Sequence, residues 1–573
     1  MERLKSGNLR PGNIVCIALP AFLFAAFMVT GRAFAYDGSL ARIFADSEAL
    51  FWSVVAFFLY FIIFLGGIAI LYQLMERFPV CGEMKYALKQ NVLIGRYLIN
   101  LDKHTFATVF MTLLVMYIPY MMISYPAIHM GDTCNQLAQG YNFPEGTSGY
   151  LKLIDENVRL NGHHPILHTL YMHFCMVVGD KIFGSYNIGI FLVSMTQALC
   201  TISVISYACA VMARAGVKRK LIFFTMLYFI LSPRIQNYLF LITKDVFTAC
   251  ALLVLGISIW QIQRKDCTKM AYCFFTVSGM CLALLRNDGK YIVFVCVLCL
   301  LLVEHRKWKK ILACAAVIMF AVIMLFHVIM PLCRITPASK REALSLPFQQ
   351  TTRYLRDYGA DVTPQEKEAI ARVLRYDALV EKYDPENGDY VKETYNEEAS
   401  AEELEAYFKA WWEMFQKHPG VYLEAAMHNY YNYFYIGDEA AMPYTYEQSA
   451  IFMTYVNDAL DEIGMSIHYP EWSERYRRKY EELREKLFSI PVLSLFVRSA
   501  SYVWALILWC FYLLKTKKIR FVLSALPMLL SLGVALMASR NGDYFRYLYG
   551  IAFCLPVIVM LGQVSVQECT SEV

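Results

Sequence analysis

The sequence predicts a mainly α-helical, polytopic membrane protein, and three observations carry that expectation. Of 573 residues, 58% are hydrophobic and only 18% are charged, a balance too apolar for three or four ordinary soluble domains. Apolar runs of the length needed to cross about 30 Å of hydrocarbon, about 20 residues, recur along the chain. The aromatic share, 15% with 40 Tyr and 38 Phe, excludes a disordered or low-complexity chain and suits helices that end at lipid headgroups.

Twelve spans are predicted, near 13–34, 49–74, 105–124, 187–213, 219–233, 243–263, 268–285, 289–304, 309–331, 489–513, 519–538 and 546–564. A thirteenth apolar stretch, 165–179, is short and holds His168 and His173. Charge decides its status, because short cytoplasmic loops collect Lys and Arg. If 165–179 does not cross, the inside loops hold 23 basic residues and the outside loops, leaving 332–488 aside, hold 11. If it crossed, the clusters at 306–310 and 515–520 would face outward. It is therefore expected to lie along, or dip into, the outer face, with both termini cytoplasmic in a multi-pass cell-membrane protein. The basic start, the first apolar run and Ala33-Phe34-Ala35 also resemble a secretory signal. That run is long for a signal h-region, so it is expected to remain as the first span.

Four segments follow. Residues 1–104 form a two-span segment with a basic cytoplasmic loop, 105–331 a multi-span core containing an outer loop at 125–186, 332–488 a helical extracytoplasmic domain, and 489–573 a three-span C-terminal segment. Charge separates them. The net charge of +5 combines 18 Lys+Arg against 29 Asp+Glu within 332–488, net −11, with 35 against 19 elsewhere, net +16. In the acidic segment, helices are expected at 363–383, where Thr363-Pro364 is a start signal, and at about 400–417, 419–435, 446–464 and 471–487. Most of the 17 Cys lie in spans as small apolar residues, and 334–488 has none, so no disulfide scaffold is expected. There is no phosphate-binding GxxxxGK[ST] loop and no internal repeat. No nucleic-acid partner is expected.

Polar residues concentrate on one face. Asp132, His163, His164, Lys244, Asp245, Arg286, Asn287, Asp288, Arg540, Asp543 and Arg546 all fall in short outer loops or at outer span ends. Ionisable groups beside apolar spans are costly unless paired or used, which makes such a set a site hypothesis. Each residue also has a plainer role. Asp132 suits a helix N-cap, Lys244-Asp245 a local ion pair, Arg286, Arg540 and Arg546 lipid-facing anchors. His163, His164 and His168 suit interfacial hydrogen bonding, although His164 and His168 have the i, i+4 spacing of metal ligands. The run from His428 to Asp438 suits helix core better than a sugar-stacking platform. Taken together, a carboxylate in the first large outer loop and a Lys with several Arg on one surface suit an anionic, lipid-linked substrate.

At this point the sequence resembles the GT-C class of polytopic glycosyltransferases. The resemblance covers the layout of about 105–564: an acidic loop with surface helices after an early span, a multi-span core and a late outer domain. The segments YPAIHMGDTCNQ, NGHHPILHTL, ITKDVFTA, LRNDGKY and LSLPFQQTTRYLRDYG look like a set shared by an uncharacterised group of bacterial membrane proteins related to that class. The resemblance implies an inverting transfer of a sugar from a polyprenyl-phosphate donor to a cell-envelope glycan or glycolipid. It makes Asp132 the base that activates the acceptor hydroxyl. Lys244, Arg286, Arg540 and Arg546 would hold the donor phosphate, with His163, His164, Asp245 and Asp288 in support. The first loop lacks a DxD or ExD pair, which leaves a divalent cation open. Two competing readings are a lipid-linked glycan transporter or ligase, and a non-catalytic scaffold with an outer binding domain.

Overall fold

A computed structural model describes residues 11–82, 97, 101, 103–147, 149–437, 445–538 and 544–571. The first part of the chain contains α1 (Pro11–Asp37), α2 (Ser47–Arg77), α3 (Thr105–Ser124), α4 (Gly131–Gly140), α5 (Ile166–Phe183), α6 (Tyr186–Arg214), α7 (Arg219–Leu231), α8 (Pro233–Phe240), α9 (Lys244–Gln263), α10 (Lys269–Leu285), α11 (Gly289–Val303) and α12 (Trp308–Ile323). The segment 332–488, expected to lie outside, adds α13 (Ser345–Tyr358), α14 (Pro364–Val373), α15 (Ala401–Lys417), α16 (Pro419–Tyr430), α17 (Tyr446–Ala459) and α18 (Glu471–Phe488). The chain ends in α19 (Ser499–Lys515), α20 (Leu526–Met537) and α21 (Tyr544–Ser571).

The protein is a polytopic α-helical membrane protein. Among the described residues, eight helical stretches are long and apolar enough to cross a bilayer: Gly12–Asp37, Ser47–Arg77, Thr105–Ser124, Tyr186–Arg214, Lys244–Gln263, His305–Leu332, Ile519–Met537 and Phe545–Gln567. The other four expected spans are shorter. Helices α7, α10, α11 and α19 have 13, 17, 15 and 17 residues, roughly 20 to 26 Å at the helical rise. The stretch expected as one span at 219–233 breaks at Ser232, whose extended backbone precedes Pro233 at the first turn of α8. A residue before proline is disfavoured in the helical region, and proline suits a helix start.

Helix α9 lies at the centre, with 16 of its 20 residues buried. It packs on α21, where Gly550 lies against Leu252, and Gly256 sits under the Ser524 carbonyl. Small residues let helix backbones approach closely where lipid supplies no hydrophobic drive between helices. Helices α5 and α6 form a hairpin closed by Gly184 in the left-handed conformation, φ 61°. Gly179 faces Gly189 so closely that a Cβ on either would collide with backbone. The Tyr171 hydroxyl donates to the Val193 carbonyl at 3.1 Å. Helix α5 thus runs back along the first turns of α6, beside Asn187, which donates to the His468 carbonyl at 3.0 Å in the outer segment.

The segment 332–488, expected as one domain, divides between cores. Phe348, Tyr354, Ile370, Leu379, Tyr407, Met414 and Tyr422 form a core of their own. Met453, Val456, Leu460 and Ile467 instead pack with Leu137, Met172, Met176 and Val193 of the outer loop and α6. Phe434 and Tyr446 join the main membrane core. The expected helix 363–383 is capped by a Thr363–Glu366 capping box but stops at Val373, where Leu374 turns extended and pairs with Tyr395. The expected helices at 400–417 and 471–487 are α15 and α18. All described cysteines are free.

Candidate active site

One short backbone pairing builds the centre of the site. Ile128 pairs in parallel with Leu241: its N–H donates to the Phe240 carbonyl at 2.9 Å and its carbonyl accepts from Ile242 at 3.0 Å. The Thr133 hydroxyl adds a bond to the Ile242 carbonyl at 3.0 Å. This register sets the first turn of α4 beside the first turn of α9. Asp132 and Lys244, each at the start of its helix, are therefore neighbours.

Lys244 Nζ lies 2.8 Å from Asp132 Oδ2. Arg546, from the start of α21, donates through one Nη to the same oxygen and approaches Asp132 Oδ1 with the other at 3.5 Å. Its Nε donates to Asp245 Oδ2 at 2.9 Å. Asp245 also accepts from the Thr243 hydroxyl at 2.9 Å, and its own N–H donates back to that hydroxyl at 3.2 Å. Thr243 is the N-cap of α9. Two cations thus meet two carboxylates at the junction of three helix starts, with every side chain at most one-fifth exposed.

Several expectations change in detail. The N-cap of α4 is Met130, not Asp132, which lies inside the first turn. Lys244 and Asp245 do not pair with each other; they diverge to Asp132 and Arg546. Burial alone would raise the Asp132 pKa, but Arg546 and Lys244 outweigh it and hold the carboxyl well below the usual carboxylate range. The resting carboxylate is ionised, doubly bound and a weak base.

The histidines separate into distinct roles. His164 Nδ1 lies 3.5 Å from Lys244 Nζ and 3.6 Å from Asp132 Oδ2. Burial, first, and then the nearby cations hold its pKa well below the usual range despite Asp132, so the ring is neutral and Nδ1 accepts from the lysine. His168 Nδ1 donates instead to Gln136 Oε1 at 3.0 Å, and Gln136 Nε2 donates to Thr169 Oγ1 at 3.2 Å. His164 and His168 therefore belong to different networks. Among the described residues, no group of three or more His, Cys, Asp or Glu side chains is placed to hold a metal ion.

A second layer joins this centre to the 332–488 segment. His163 faces Glu342 at 3.9 Å and the Tyr150 hydroxyl at 3.3 Å. Glu342 pairs with Lys392 at 2.8 Å. Arg341 stacks 3.0 Å above the Tyr150 ring. A parallel bridge between Asn161 and Thr336 fixes where the 332–488 segment starts beside this loop, with Gly162 N–H donating to the Thr336 carbonyl at 2.7 Å. Asn287 donates to the carbonyls of Gly162 and His163 at 3.1 and 3.2 Å. Arg286 is mostly buried and pairs with Asp288 at 2.7 Å, so it is not extended toward headgroups. It still acts electrostatically on Asp245. Arg540 and Asp543 lie outside the described residues.

Sequence reasoning missed Thr243, Gln136, Glu342, Lys392 and Tyr150. Thr243 carried a signal, as a Thr before the charged start of an apolar run. The outer-segment residues carried none, because long-range backbone pairing places them. No curated protein and no solved structure matches the chain. Residues 10–572, nearly the whole chain, match a family described as a family of unknown function. The chain belongs to that family, DUF6020.

Proposed function

We propose that this protein is a GT-C-like membrane glycosyltransferase, which moves a sugar from a polyprenyl-phosphate-linked donor to a cell-envelope glycan or glycolipid at the outer face. The observation that carries the reading is the convergence of Asp132, Lys244, Asp245 and Arg546 where the outer loop meets the starts of α9 and α21. In this reading the four shorter apolar helices, with α8 continuing α7, also cross, giving twelve spans. Both termini are cytoplasmic, and 332–488 stands outside with α5 at the outer surface. A thiol label at Lys517→Cys that reacts only from outside would overturn that orientation.

The chemistry follows from the pairing. A donor phosphate competes with Asp132 for Lys244 and Arg546, since both form strong charge-assisted bonds to anionic oxygens. As the cations turn to the phosphate, Asp132 loses the contacts that depress its pKa and becomes a competent base. It takes the proton of the acceptor hydroxyl, whose oxygen forms a bond to the anomeric carbon. The bond from that carbon to the phosphate oxygen breaks on the opposite side, and the electron pair leaves on the phosphate, held by Lys244 and Arg546. One carboxylate suffices, and the anomeric centre inverts.

The same pairing also favours a second reading, in which a fully neutralised cluster is a structural keystone in a non-catalytic scaffold. One experiment separates them: protein in nanodiscs is given polyprenyl-phosphate-linked sugars and acceptor glycolipids, and release of free polyprenyl phosphate is followed. The proposal expects release by the wild type and its loss in Asp132→Asn with donor retention kept. Near-normal release by Asp132→Asn would remove the base assignment. Failure of the wild type to retain any polyprenyl phosphate would remove the enzyme reading.

A further inference from the structure

Helix α18 was expected from its sequence only as a strongly charged helix of the outer segment, yet its packing is inverted for a helix in water. The side chains it turns inward are polar: Ser473, Arg477 and Arg484 are buried. Arg477 lies over the Tyr469 ring at 4.2 Å and the Tyr446 ring at 5.6 Å, and Arg484 over Tyr480 at 5.7 Å. Glu481 accepts from the Tyr446 N–H at 2.7 Å. Tyr480 packs on Tyr120 of α3 with ring centroids 5.3 Å apart.

The side chains it turns outward include Trp472, Tyr476, Leu483 and Leu487, each 41 to 58% exposed. At about 100° per residue, these four fall within a stripe roughly 60° wide. The buried residues occupy the sector on one side of that stripe. Glu474, Arg475, Arg478, Lys479, Glu482, Glu485 and Lys486 occupy the sector on the other. A buried polar face, an exposed apolar stripe and an exposed charged face are the three sectors of a helix lying at a membrane surface.

The stripe is continuous with surface that belongs to a bilayer. Trp472 and Pro470 line a cavity of about 290 Å³ together with Met121, Met122 and Tyr125 at the end of α3 and Phe191 of α6. Met122 is itself half exposed on a helix long and apolar enough to cross. Beyond the other end of α18, Ile490, Val492, Leu495 and Phe496 are exposed along the connection to α19. An apolar border thus runs from α3 along α18 to α19.

We infer that α18 is an interfacial helix whose Trp472–Leu487 stripe docks into the bilayer at the lipid headgroup boundary, holding the outer segment down on the membrane. The inference is independent of the enzyme reading. Its test uses the full-length protein in phosphatidylcholine liposomes. The emission of wild type minus Trp472→Phe reports Trp472 alone. That difference emission is expected to lose most of its intensity in liposomes whose acyl chains are brominated near the headgroup, and to be unaffected by aqueous iodide. Quenching by iodide and not by bromine would place the stripe in water and overturn the inference. Quenching by neither would show a covering protein surface and overturn it as well. Leu483→Trp, read as its added emission over the wild type, gives the same test about three turns further along the same stripe if Trp472→Phe does not fold.

Discussion

Arg546 and Asp132 are 414 residues apart in the chain and meet through both terminal nitrogens of the guanidinium. The arginine also holds Asp245 through Nε, so one side chain from the last helix ties α4 to α9. Removing it leaves two largely buried carboxylates with Lys244 alone, at a cost of about 3 kcal/mol for a broken buried ion pair. Arg546→Met is expected to lower the melting temperature in nanodiscs, and adding Asp132→Asn should restore part of the loss, because Lys244 then no longer faces two carboxylates. A double mutant no more stable than the sum of the two single losses allows would show that the two side chains are not coupled in this way.

The ionised state of Asp132 has a pH signature. Its folded pKa is held well below the usual range, against burial, by Arg546 and Lys244. Its contribution to stability is therefore complete above the unfolded pKa, about 3.9, and declines only as pH falls below that toward the folded value. The stability difference between wild type and Asp132→Asn should stay flat from pH 8 to 5 and shrink below about pH 4. A difference that already shrinks between pH 7 and 5 would mean that the carboxyl is not held by its cations.

Close helix packing gives a prediction that does not involve the charged cluster. A Cβ at Gly179 would collide with the backbone of Gly189, and one at Gly189 would press on Met176. Gly179→Val should force the α5–α6 hairpin apart at a cost of at least about 1–3 kcal/mol, the usual range for overpacking. The hairpin carries His168 and borders the loop that holds His164, so thermal stability and donor retention should fall together. A stable variant with unchanged melting would show that the hairpin is looser than its glycines indicate.

Composition and span length were enough to read the membrane class; the charge bias of the loops set 165–179 apart from the spans, and that stretch forms α5, which runs back beside the first turns of α6. The break at Ser232 was less legible, because hydropathy runs through it while Pro233 resets the backbone. At the site, Asp132, Lys244, Asp245 and Arg546 were each visible as charges at span ends. Their pairing was not: it depends on Ile128 meeting Leu241 in register, a contact between segments more than a hundred residues apart. For the same reason the plainer role of Lys244 and Asp245, a local ion pair, gives way, since each reaches a different helix. Glu342 and Lys392 were invisible as site residues because the Asn161–Thr336 bridge brings their segment over His163.

Lys244 and Arg286 were expected to act alike on a donor phosphate, and the geometry separates them. Lys244 Nζ touches Asp132 directly and can exchange that carboxylate for a phosphate oxygen. Arg286 is held by Asp288 and reaches the centre only through its field at Asp245. Loss of a charge-assisted bond costs about 1.5–3 kcal/mol, or roughly 10- to 100-fold in affinity. Lys244→Ala should therefore weaken retention of polyprenyl phosphate in nanodiscs by that factor, while Arg286→Ala should weaken it several-fold less. Native mass spectrometry across a lipid titration measures both. Equal losses would put Arg286 in direct contact with the phosphate, and no loss from Lys244→Ala would remove the lysine from donor binding altogether.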